Sequence, residues 1–116
     1  MAHKVFIDGE VGTTGLQIRE RLQNRGDITL VQVPVERRKD AGARREALAE
    51  ADVAILCLPD EAAKEAAALA EPYGTRLIDA STAHRVASGW VFGFPEMAEG
   101  QRALVAGATR VSNPGC

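Results

Sequence analysis

Four short apolar runs, with helix-forming segments between them, constrain this chain most. Val5-Phe6-Ile7, Ile28 to Val33, Val53 to Leu58 and Leu77-Ile78 lack strict alternation, so each reads as a strand buried on both faces, as in a parallel sheet. Gly15 to Arg25 carries Leu16, Ile18 and Leu22 at helical spacing and stops at Gly26. Asp40 to Ala51 is rich in Ala, Arg, Glu and Leu, a strong helix composition. Pro59-Asp60 opens a third helix over Glu61 to Glu71, and Pro72 closes it. The order β-α-β-α-β-α-β predicts an α/β fold with a doubly wound, mainly parallel sheet. Residues 88–95 hold a short strand or only a loop. Glu96 to Ala106 reads as a helix ended by Gly107, although Ala103 to Ala106 alone also suits a strand. Arg110 to Ser112 reads as a last strand.

At 116 residues, with 46% hydrophobic content, the chain can form one domain with its own core. Fourteen basic and sixteen acidic residues give a net charge of −2, which offers no broad attraction to nucleic acid or an anionic membrane. No apolar run approaches the length of a membrane span, and the first residues lack the apolar stretch of a signal peptide. The expectation is a cytoplasmic protein. Two cysteines and two histidines without close spacing argue against a disulfide framework and a structural metal site.

Gly9, Gly12 and Gly15 lie between the first strand and the first helix. Backbone without Cβ atoms can turn sharply and approach a pyrophosphate, and a helix N-terminus adds unpaired N–H groups and a positive dipole. Thr13 and Thr14 offer hydroxyl donors or a helix cap. The spacing G-x-x-G-x-x-G differs from the commoner G-x-G-x-x-G, so position between strand and helix carries the reading. Glu36 stands 21 residues after Gly15, where a dinucleotide fold meets the adenosine ribose. Arg37, Arg38 and Lys39 follow at once and favour a ribose 2′-phosphate, hence NADP over NAD. Arg37 and Arg38 are the better candidates, because a guanidinium grips phosphate through two bonds.

Cys116 ends Ser112-Asn113-Pro114-Gly115-Cys116 on a sharp Pro-Gly turn. A nucleophilic cysteine needs access and a pKa below the usual value of about 8.5. Local features alone leave a nucleophile and an incidental thiol equally open. Cys57, inside Val-Ala-Ile-Leu-Cys-Leu, suits packing. His84 falls on the carboxyl edge, where it meets the nicotinamide or substrate, or bonds to backbone. His3 reads as a surface residue just before the first strand.

Together, Asp8 to Gly15, Glu36 to Asp40, Cys57 to Asp60, Asp79 to Arg85, Gly93 to Glu96 and Ser112 to Cys116 resemble the N-acetyl-γ-glutamyl-phosphate reductases in their shorter bacterial form. The resemblance implies that residues 1–116 are an NADP-binding Rossmann-like domain, the amino-terminal portion of a longer enzyme. It further implies that Cys116 attacks an acyl-phosphate substrate and forms a thioester, which NADPH reduces. Gly12, Thr13 and Thr14 would cradle the pyrophosphate, while Pro59 and Ser81 lie along the cofactor. His84 and Glu96 receive no role. The family's second, α+β domain, which binds substrate, dimerises the enzyme and supplies a histidine acid/base, is absent from these residues. A homo-oligomer is thus implied for the full-length enzyme. Two other readings are a dinucleotide-binding module without its own chemistry, and an enzyme like aspartate-semialdehyde dehydrogenase acting on another acyl phosphate. In the latter enzymes the cysteine normally follows Asn rather than Gly115.

Overall fold

A computed structural model describes residues 3–9, 13–37, 40–81, 83–84, 89–94 and 99–112. The strands are β1 (His3–Asp8), β2 (Ile28–Val31), β3 (Val53–Leu56), β4 (Arg76–Asp79), β5 (Val91–Phe92) and β6 (Arg110–Ser112). The helices are α1 (Thr13–Leu22), α2 (Ala41–Glu50), α3 (Asp60–Ala70) and α4 (Gln101–Gly107), with 3₁₀ turns at Val35–Arg37 and Glu71–Tyr73. Among the described residues the strands form one sheet in the order β2-β1-β3-β4-β6-β5, and every pairing is parallel.

The core explains why the strand runs are continuous rather than alternating. Phe6, Ala54, Leu56 and Leu77 pack on one face against Ala47, Leu48 and Ala51 at the α2 end and Ala66, Ala67 and Ala70 of α3. Val5 and Ile7 alternate with Phe6 and are also buried, on the face that a right-handed crossover gives to α1. In α3 the buried alanines fall at positions 63, 66, 67 and 70, one stripe at helical spacing. Asp60 and Glu61 sit in its first turn, where a carboxylate complements the helix dipole. Asp40 caps α2 by accepting the Gly42 N–H at 3.0 Å. At the other end, the Thr75 hydroxyl donates to the Leu48 carbonyl.

Several boundaries differ from the sequence expectations. Helix α1 begins at Thr13 and ends at Leu22, short of Arg25. Strands β2 and β3 stop at Val31 and Leu56, short of Val33 and Leu58. Pro72 does not simply close α3; it lies inside a 3₁₀ turn that Gly74 ends at φ 66°. His3 is the first residue of β1, and it is exposed. Residues 91–92 form a strand. The last helix starts at Gln101, since Gly100 at φ 84° lies in the left-handed region and interrupts helical backbone, while Glu96, its expected start, lies outside the described residues. Gly107 lies within that helix, and Ala108 caps it.

Candidate functional site

Strand β1 has β2 on one side and β3 on the other, so the connections from it wind in opposite directions. A crevice opens at such a switch point, outside the carboxyl ends of the strands. Three connections after β1, β3 and β4 gather there. The Cys57 N–H donates to the Asp8 carbonyl at 2.8 Å, and the Ala80 N–H donates to the Leu56 carbonyl at 2.9 Å.

Gly9 makes the turn after β1 with φ 92°. A Cβ on it would stand 2.3 Å from the Cys57 carbonyl oxygen, so both conformation and space demand glycine. Gly15 is buried in the first turns of α1. The first turn of α1 holds no acidic residue, so nothing within that turn offsets the positive end of its dipole. A tight glycine turn leading to such a helix end fits the pyrophosphate of a dinucleotide. Gly12, expected in the same cradle, lies outside the described residues, as do Arg38, Lys39 and Cys116.

Beyond β2, the 3₁₀ turn carries Glu36 and Arg37, both exposed. Arg37 donates to Asp40 Oδ2 at 3.1 Å, while Asp40 also caps α2. The Gly42 N–H, and after it Arg37, holds the Asp40 carboxyl below its ordinary pKa. This pairing sets Arg37 beside the start of α2 and uses, among the described residues, only part of its guanidinium donor set.

Pro59 stands at the N-cap of α3 and Ser81 follows β4, so both occupy the carboxyl edge. Ser81 belongs to a buried unit. Asp79, fully buried, accepts the Ser81 N–H and the Ser81 hydroxyl, each at 2.9 Å, and meets His84 Nδ1 at 2.5 Å. Among the described residues His84 therefore bonds to a carboxylate rather than to backbone, and its ring stacks on Trp90.

A second buried pair has no local motif to announce it. Asp8 ends β1, and Arg44 of α2 donates to its Oδ2 from two nitrogens, at 2.8 and 3.2 Å. The side chains are only 8% and 11% exposed. The available signal was an acid ending a strand buried on both faces, which requires a cation from elsewhere. Cys57 is half-buried between Asp8 and Asp79. Burial first, then repulsion by those two carboxylates, pushes its thiol up to about 11. It is a packing thiol, unsuited to nucleophilic work at neutral pH.

A doubly wound parallel sheet with a glycine turn at its switch point defines a dinucleotide-binding domain. The chain belongs to the semialdehyde dehydrogenase family through that family's NAD-binding domain, whose profile matches residues 4–104. It is 61% identical over 116 residues to N-acetyl-gamma-glutamyl-phosphate reductase of Chelativorans sp., and 59% identical over 116 residues to the enzyme of that name from Mesorhizobium japonicum. Those matches cover all of this chain but 37% and 38% of the relatives, so the chain spans a little over a third of their length. In three dimensions it is similar to aspartate semialdehyde dehydrogenase from Francisella tularensis, with a TM-score of 0.71 over 97% of this chain and 36% of that one. At 16% identity, that likeness establishes the fold alone. No helix among the described residues is long and apolar enough to cross a membrane.

Proposed function

We propose that these residues are the NADP-binding portion of an N-acetyl-γ-glutamyl-phosphate reductase. The reaction is reduction of N-acetyl-L-glutamyl 5-phosphate to N-acetyl-L-glutamate 5-semialdehyde and phosphate, in arginine biosynthesis. Identity of 61% across the whole chain to a reductase of that name carries the reading. The aspartate enzymes share the fold at only 16% identity, which favours the acetylglutamyl substrate over the aspartyl one.

In this reading Gly9, Gly12 and Gly15 let the backbone approach the pyrophosphate, and Thr13 and Thr14 add N–H groups at the start of α1. Arg37 and Arg38 bind the ribose 2′-phosphate, and Pro59 and Ser81 line the cofactor. Cys116 attacks the acyl-phosphate carbonyl as a thiolate, forming the C–S bond as the C–O bond to phosphate breaks. NADPH, when bound, supplies the hydride that takes this thioester to a thiohemiacetal. Collapse of the thiohemiacetal returns the thiolate and releases the aldehyde. The full-length enzyme is read as a homo-oligomer, as the family resemblance implies, and as cytoplasmic, where its small charged cofactor and acyl-phosphate substrate would be held.

The test is reductase activity of the full chain, followed by loss of reduced-nicotinamide absorbance with the acetylglutamyl and the aspartyl phosphates. Consumption of NADPH with the former, abolished in Cys116→Ser, supports the reading. Turnover of aspartyl phosphate alone would replace it with the aspartate reaction. NADPH binding without turnover of either would leave a nucleotide-binding module.

A further inference from the structure

The buried unit after β4 has more structure than a cofactor-lining serine requires. Asp79 Oδ1 accepts the Ser81 N–H, and Oδ2 accepts the Ser81 hydroxyl and meets His84 Nδ1. A carboxylate only accepts, so Nδ1 is the ring nitrogen that carries the proton. Ser81 Oγ in turn accepts the Ala83 N–H at 3.1 Å, closing the turn on itself. The His84 ring lies on Trp90 with centroids 4.0 Å apart and planes 12° apart, and the Arg110 guanidinium sits 5.6 Å from the same indole. His84 thus does two separable things. It donates to a carboxylate that has no exposure to water, and it extends a stack over the core.

We infer that His84 is a positioning residue whose hydrogen bond to Asp79 holds the Ser81 turn in the form that receives the cofactor. The inference rests on the reading of Ser81 as a cofactor-lining residue. Without the imidazole, a fully buried carboxylate loses one of the three donors it has among the described residues. The Ser81 turn would then have to reorganise to satisfy it. Its hydrogen committed to Asp79, the Ser81 hydroxyl can only accept from any further group. A carboxamide N–H of the nicotinamide, rather than a phosphate oxygen, is the cofactor group it suits.

Three variants of the full chain separate donation from stacking. His84→Phe keeps a ring and loses the donor. His84→Asn keeps a donor and loses the ring, and Trp90→Leu removes the stacking partner. NADPH affinity is measured by titration calorimetry, with thermal unfolding as a control. His84→Phe should bind about tenfold more weakly. His84→Asn and Trp90→Leu should bind nearly as the parent does while melting at lower temperature. Equal affinity in His84→Phe, or weakening in Trp90→Leu as large as in His84→Phe, would overturn the inference. If His84→Phe does not fold, retained affinity in the other two supports the proposal and lost affinity in either refutes it. Failure of the parent chain to bind NADPH would instead remove the cofactor reading on which it rests.

Discussion

Gly9 gives a sharp test of how the site is built. Replacing it with Ala imposes two costs. At φ 92° an L-residue is strained, worth about 1–3 kcal/mol. The new Cβ would also stand 2.3 Å from the Cys57 carbonyl oxygen, a backbone atom fixed by the β1–β3 pairing. Relieving such an overlap costs about 1–3 kcal/mol more. Middle values sum to about 4 kcal/mol, a large part of the roughly 5–15 kcal/mol that holds a domain folded. For a domain of this size each kcal/mol moves Tm by about 3–5 °C, so Gly9→Ala should lower Tm by roughly 12–20 °C. Two other glycines calibrate the costs. Gly74, at φ 66° with open space around its Cβ position, should show only the conformational cost of about 1–2 kcal/mol. Gly26 has neither a positive φ nor a neighbour, and Gly26→Ala should be neutral or stabilise by about 0.4–1 kcal/mol. Thermal and urea unfolding followed by circular dichroism measure all three. If Gly9→Ala lost no more than Gly74→Ala, the crowding between the β1 and β3 ends would be refuted.

Three further outcomes are expected. Arg44→Met should strand Asp8 in a buried site and cost about 3–5 kcal/mol, whereas adding Asp8→Leu should recover most of it; denaturant unfolding of the single and double variants decides. The raised Cys57 pKa means that the folded state holds its proton where the unfolded state has released it. That contribution is complete below the ordinary thiol value and is lost as pH climbs from about 9 to about 11. Cys57→Ala should remove this alkaline component from a pH series of unfolding curves. In the parent chain, iodoacetamide should leave Cys57 essentially unlabelled at pH 8 while Cys116 reacts. Arg37→Ser should weaken NADPH binding about tenfold and leave NADH nearly unchanged in parallel titrations; an equal loss for both would remove Arg37 from the 2′-phosphate site.

The glycine turn and the strand runs were legible because each is a statement about neighbouring residues. Continuous apolar runs report burial on both faces, and a glycine between strand and helix specifies a turn. The β5 strand and the start of α4 were blurred by the glycines around them. Gly89, Gly93 and Gly100 admit several backbone conformations, and only packing selects one.

Sequence alone therefore determined the alternation of elements, the doubly wound class and the glycine turn after the first strand. Tertiary structure decided which charges meet. Asp8 and Arg44 are 36 residues apart and pair because α2 crosses back over β1. Cys57 is a weak acid because packing half-buries it and, after that, because the strand order sets it between two carboxylates. Even His84, five residues from Asp79, declares itself only once Trp90 arrives from the far side of the turn. Backbone preference is a short-range property, whereas the stability of a buried charge depends on everything brought within a few ångströms of it.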